Sequence, residues 1–406
     1  MSKQDYNIWW GPPRKFSHLV AERKISWLEL FYDLVYVIVI SKVTHYLAEH
    51  ATGAGLLDYA YLFAMVFWGW YNGSQYHDLH GSPGIRTRFM TLWQMMAVGA
   101  LAVTLDSPPE SMVYRTTIAL LFLQLFLTYL WWSVGIYDKE HRRLNVPYTV
   151  CFLIAFALLI LTLFIPFPFK RIIFWIALLL NYLPFTLTAI RLKKSTLTLT
   201  LSASMTERLG LFTIIVFGEA ILGVINSMSH PGMLSISAWL SFGLGILIVF
   251  ALWWIFFSVI ADRECKKGMW NGNMLSLIYI PMLASLGMVG TSFPSLLHHP
   301  EAGEHSCQGS FQEVIFGTSI ALFLCCVPAL SRFLVYTPEY ERQKKLFQAL
   351  MIFVGIINLC LALLFPALPL SVYLLLVFVS LLFIIVMMTR SWFRVELVKQ
   401  GHAEED

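Results

Sequence analysis

The sequence predicts an all-α polytopic membrane protein of about twelve transmembrane helices, and three observations predict it. Of its 406 residues, 58% are hydrophobic and only 13% are charged, whereas a water-soluble domain carries roughly a quarter charged residues. The mean hydropathy of +0.69 marks a surplus of apolar surface for which lipid is the better solvent. Twelve apolar runs approach the roughly 20 residues a helix needs to cross about 30 Å of hydrocarbon. Lysine and arginine then alternate in phase with those runs. Of the 28, 24 fall in the N-terminal tail, the even-numbered loops and the C-terminal tail, three go with odd-numbered loops, and Lys42 lies within the first helix. Basic residues stay cytoplasmic, so this phase predicts both termini on the cytoplasmic side.

Residues 1–24 read as a basic tail without a cleavable signal, because the first apolar run starts only at Ile25 and carries two carboxylates. The first half, 25–191, holds helices near 25–47, 55–76, 89–105, 113–136, 147–166 and 171–190. A cytoplasmic linker at 192–208 leads to the second half, 209–389, with helices near 209–228, 237–260, 273–294, 313–331, 346–365 and 370–389, and a tail at 390–406. Asn72, Gln75, Gln94, Gln124 and Asn181 read as interhelical glue worth about 0.6 kcal/mol each. Pro184, Pro281 and Pro328 lie within helices, where neighbours can re-satisfy the freed carbonyls. Trp9, Trp10, Trp131, Trp132 and Trp392 fall near span ends and read as an interfacial belt.

The halves resemble each other. Leu30-Phe31 and Val35-Tyr36 align with Leu211-Phe212 and Val216-Phe217, and Trp68 and Trp70 fall near Trp253 and Trp254 at a similar offset. Six helices per half preserve direction, so the two would be parallel repeats about an axis along the membrane normal.

Composition and motifs also exclude. The net charge of +4 comes from short loops between apolar helices, which removes the case for a nucleic-acid partner. Six scattered cysteines make neither a zinc pattern nor a disulfide framework. The run from His298 to Cys307 is dense in potential ligands but matches no known metal spacing, so it reads as a solvated external loop. No P-loop, serine elbow, HExxH or dinucleotide fingerprint stands in a suitable flanking structure, and no cofactor is named.

The informative residues are acids inside apolar runs. Glu29 and Asp33 share a helical face at i, i+4, with Tyr36 close behind. Counting from Ile25 puts Asp33 about 12 Å deep, and counting from Leu209 puts Glu219 about 15 Å deep, both near mid-bilayer. An unpaired carboxylate there costs at least about 3 kcal/mol, so each needs a partner or a hydrated cavity. Arg88, Arg208, Lys42 and Arg115 are the cations able to lock one of them in a structural pair.

The line Trp27-Leu-Glu29-Leu-Phe-Tyr-Asp33-Leu-Val, taken with Glu207-Arg208-Leu-Gly-Leu-Phe-Thr-Ile-Ile-Val-Phe-Gly218-Glu219, resembles the bacterial low temperature requirement protein A family, LtrA. The likeness extends through Trp68-Gly-Trp70 and Trp253-Trp254, hence over helices one to nine. It implies a multi-pass protein of the bacterial inner membrane and puts Glu29, Asp33, Glu207, Arg208, Gly218 and Glu219 on motif positions. The chain departs where many relatives carry histidine, having Ser204 before the Glu-Arg pair and Tyr279 before a helix-nine proline.

Three functional readings follow. The favoured one is a secondary transporter or ion pathway for an unidentified small solute or ion, with Asp33, Glu219 and Glu29 as the substrate or proton site and Glu207, Arg208, Tyr36 and Tyr279 in support. The second is a membrane enzyme or cofactor-binding protein in which Glu29 and Glu207 act as acid and base on an amphiphile. The third is a non-catalytic membrane component whose acids sit in closed ion pairs.

Overall fold

A computed structural model describes residues 11–15, 24–82, 84–139, 142–192, 200–228, 235–261, 263–297, 307–364 and 368–403. Among these residues there are twelve helices and no strand. They are α1 (Trp27–Glu49), α2 (Gly53–His80), α3 (Ile85–Leu105), α4 (Pro109–Tyr137), α5 (Arg142–Leu161), α6 (Phe169–Leu192), α7 (Ala203–Asn226), α8 (Ile236–Ile260), α9 (Met269–Leu297), α10 (Cys307–Ser331), α11 (Pro338–Leu364) and α12 (Leu370–Ala403). Each overlaps the apolar run that predicts it. The ends differ most at α11, which starts at Pro338 instead of near 346, and at α12, which runs to Ala403 instead of near 389. Hydropathy marks the stretch that tolerates hydrocarbon, whereas the backbone ladder continues through polar turns beyond it.

Ten of the twelve are long and apolar enough to cross a membrane; α1 and α2 are not among them. Both carry several polar side chains that the fold turns inward. On α1 the outward positions Phe31, Leu34 and Ile38 are half exposed and apolar, while Tyr32, Asp33 and Tyr36 are buried. That is the inverse of a soluble amphipathic helix, as expected when the solvent is hydrocarbon.

The chain divides into two compact units. The first comprises Met1–Tyr46, Leu57–Phe212 and Lys267–Asn273. In it α3 packs on α4, α4 on α5 and α5 on α6, the sequential neighbours that short loops dictate. Gln124 and Asn181 exchange side-chain hydrogen bonds of 2.9 Å, and the Trp68 indole donates to the Asn181 carbonyl at 3.0 Å, so the expected amide glue is present at this position. Trp131 corrects the interfacial-belt expectation: it is buried and stacks on Tyr148 at 4.1 Å. Trp132 and Trp392 are half exposed, and Trp9 and Trp10 lie outside the described residues.

The second unit comprises Leu47–Leu56, Thr213–Lys266 and Met274–Asp406. Here α8 packs on α10, α10 on α11, α11 on α12 and α12 back on α8, closing a four-helix ring. Asn358 ties α11 to α12 by donating to Ser380 Oγ at 2.9 Å.

Candidate functional site

In the first unit two buried carboxylates, Glu29 and Asp33, stand one turn apart at the start of α1. The Ser26 backbone N–H donates to Glu29 Oε2 at 2.9 Å, and the Glu29 N–H donates to Ser26 Oγ at 3.4 Å, the reciprocal capping box that opens a helix. Glu29 therefore has a structural duty that its position three residues after a serine already signals. One turn later Asp33 lies about 9 Å into α1, shallower than the count from Ile25 because the helix begins at Trp27.

Asp33 is 1% exposed and fully engaged. Trp70 Nε1 donates to its Oδ1 at 2.7 Å, Arg208 Nε donates to Oδ2 at 3.1 Å, and Arg208 Nη2 donates to Oδ1. Arg208, 3% exposed, sits 5.9 Å from the centroids of both the Tyr32 and Trp70 rings. The guanidinium fork matches the carboxylate, and the aromatic faces add to the compensation of the buried cation. One donor is left over: Arg208 Nη1 is buried and has no hydrogen-bond partner among the described residues. Of the four cations that could lock a carboxylate, the fold selects Arg208 for Asp33, while Lys42 pairs with exposed Asp106 at 2.5 Å.

A buried polar row continues from this pair. The Tyr32 hydroxyl has Tyr36 Oη at 3.1 Å and the Gly69 carbonyl and Gln94 Oε1 at 3.2 Å, three acceptors for one proton. The Tyr32 and His77 rings meet edge-on at 6.1 Å, and His77 Nε2 lies 3.0 Å from Thr91 Oγ1. Gly73 makes room for this junction: a Cβ there would lie 2.0 Å from the Tyr32 hydroxyl oxygen and 2.7 Å from Gln94 Oε1. Sequence reading missed His77 and the role of the Trp70 indole. The signal available was the run of Trp70, Asn72, Gln75, His77 and His80 along one apolar helix, more polar groups than glue requires.

The other expected residues are placed less centrally. Ser204, which stands where relatives carry histidine, donates to Asp78 Oδ1 at 2.5 Å beside a cavity of about 40 Å³ also lined by Gln75 and Asn273, room for water. Glu207 is exposed and Glu29 buried, so the proposed acid–base couple has unlike surroundings. Glu219 and Tyr279 belong to the second unit, Glu219 half-buried on α7 and Tyr279 buried on α9. Among the described residues no cluster of His, Cys, Asp or Glu could hold a metal, and residues 298–306 of the histidine-rich loop lie outside them.

The family model for the bacterial low temperature requirement A protein, LtrA, matches residues 24–391. The chain belongs to this family. The LtrA match runs through α10, α11 and most of α12, correcting the expectation that the likeness ends with the ninth helix. The last three spans are mainly aliphatic and offer few charged or aromatic landmarks to recognise by eye. No curated protein matches this LtrA-family chain.

Proposed function

We propose that this LtrA-family protein is a secondary transporter or ion pathway, proton-coupled through Asp33 with Glu29 beside it and Glu219 in the second half. The observation that carries the reading is the buried Asp33–Arg208 pair with its unspent guanidinium donor, Nη1. A proton on Asp33 would cancel the charge that holds Arg208 and leave a buried cation seeking an anion or a dipole, which is how intramembrane ion pairs act in transport cycles. Tyr32, Gln94 and His77 offer hydrogen-bonding groups leading away from the pair.

Purified protein in liposomes is expected to carry protons down an imposed pH gradient, followed with a trapped pH dye. Glu219→Gln, and Asp33→Asn in the fraction that still elutes as one sharp species despite its lower stability, are each expected to abolish that flux. Intact flux in both variants, or none in the wild-type protein, defeats the proposal. A second reading has its own support, since Asp33 is already enclosed and paired: a static clamp within a non-catalytic membrane component would use the same bonds. It predicts no flux and no ligand.

In this reading all twelve helices span the cytoplasmic membrane of a bacterium, both termini face the cytoplasm, and residues 25–191 and 209–389 are parallel repeats. Single cysteines at two exposed positions, Lys267 and Glu110, test the orientation in a chain whose six native cysteines are replaced. A membrane-impermeant maleimide should label Glu110→Cys in intact cells and Lys267→Cys only after the membrane is opened. Labelling of both from outside would refute the assignment.

A further inference from the structure

The second unit holds a cavity of about 540 Å³ at one end of its four-helix ring, far larger than a water site and of the size that accepts a headgroup with part of its chains. Its walls come from the ends of α8 and α10, the first turns of α11 and the late part of α12. Apolar side chains dominate: Trp254, Phe347, Met351, Met388 and Trp392. Trp254 and Trp392 are 41% and 49% exposed, so the cavity is flanked by aromatic surface that faces out of the bundle.

Its polar end is cationic. Arg263 lies 4.1 Å from the centroid of the Tyr336 ring and Lys344 lies 4.5 Å from the same centroid, both lining the cavity. Lys266 adds a third positive charge within range of Lys344. Among the described residues the acid paired with them is Glu341, 3.7 Å from Lys344 Nζ and 54% exposed, where water screens it. Burial pushes the Tyr336 hydroxyl up to about 12 against the opposing pull of Arg263, and it donates to the Val259 carbonyl at 2.7 Å, so it stays neutral and adds no counter-charge. A lysine whose side chain is 8% exposed beside two like charges has an anion-shaped deficit. Gln343, also in the wall, has a buried Oε1 with no hydrogen-bond partner among the described residues, an acceptor suited to a hydroxyl.

We infer that this cavity binds an anionic glycerophospholipid, its phosphodiester between Arg263 and Lys344, a headgroup hydroxyl toward Gln343, and its chains along the Trp254, Met388 and Trp392 wall. Basic pockets between membrane helices hold acidic lipid headgroups in this way. The cations lie on the side that the distribution of lysine and arginine assigns to the cytoplasm, where such headgroups are available. The inference is independent of proton coupling at Asp33, which lies in the first unit.

The test is lipid retention by the full-length protein. After delipidation it is exposed to mixed micelles of detergent with phosphatidylglycerol or phosphatidylcholine, and bound lipid is counted by native mass spectrometry. Phosphatidylglycerol should be retained in preference to phosphatidylcholine, and Arg263→Gln and Lys344→Gln should each lower its affinity about fivefold, the effect of one basic residue at a lipid surface. Lys344→Arg should keep the affinity. Ser258→Trp, at an exposed position in the wall, should block binding without disturbing the core. Equal retention of both lipids, or affinities unchanged in Arg263→Gln, Lys344→Gln and Ser258→Trp, overturns the inference. Displacement of the lipid by millimolar inorganic phosphate alone would also overturn it, reducing the cavity to a simple anion site.

Discussion

Asp33→Asn and Arg208→Met are each expected to destabilise the protein by about 3–5 kcal/mol, because each leaves a buried polar or charged partner uncompensated. The double variant is expected to recover most of that loss. Asparagine retains an acceptor for the Trp70 indole, and methionine fills the stem volume of Arg208 without a charge to solvate. Replacing both members of a buried pair is often neutral, so the two substitutions should couple by well over 1 kcal/mol in a double-mutant cycle. Tryptophan fluorescence or sharp-peak recovery after heating in mild detergent measures it. Additive losses would show that Asp33 and Arg208 do not answer to each other. The double variant also separates the two functional readings. A protein that folds but no longer moves protons points to turnover at Asp33, and a folded double variant of a protein that never moved them points to the clamp.

Why the pairing was only half legible follows from how membrane sequences encode structure. Apolar run length is set by bilayer thickness, so every helix among the described residues is locatable, while ends such as Pro338 and Ala403 depend on polar turns that hydropathy ignores. The acids stood out because each is costly in hydrocarbon, and Arg208 was among four candidate partners. Choosing among those four needs the packing of α7 against α1 within the first unit, which no spacing rule supplies. Ser26 and Glu29 carry a local signal, the capping box, that depth in the bilayer does not reveal. An aromatic near a span end such as Trp131 reads the same whether it faces headgroups or, as here, stacks on Tyr148. The basic cavity was out of reach altogether, since it is space left between four helices from distant parts of the chain.

Gly223→Ala is expected to be among the most damaging single-methyl additions in the chain, although alanine favours a helix over glycine by about 1 kcal/mol. In the second unit α7 and α9 cross backbone to backbone. A Cβ on Gly223 would lie 2.2 Å from the Gly290 carbonyl oxygen and 2.7 Å from its carbonyl carbon, and a Cβ on Gly290 would lie 2.7 Å from Ala220 Cα. Backbone atoms cannot turn aside as a side-chain tip does, so the helices must separate and forfeit the dispersion contacts that hold small-residue crossings together in lipid. Overpacking costs about 1–3 kcal/mol, and a clash with backbone belongs at the upper end, beyond the propensity gain. Gly218 is the control on the same helix. A Cβ there meets nothing within 4 Å, so Gly218→Ala should be neutral or slightly stabilising. Comparable thermal midpoints for Gly223→Ala and Gly218→Ala in detergent would mean that α7 and α9 do not meet through their backbones. Because Glu219 precedes Ala220 in this contact, a widened crossing should also disturb the surroundings of that acid, and proton flux should fall with Gly223→Ala in protein that still folds.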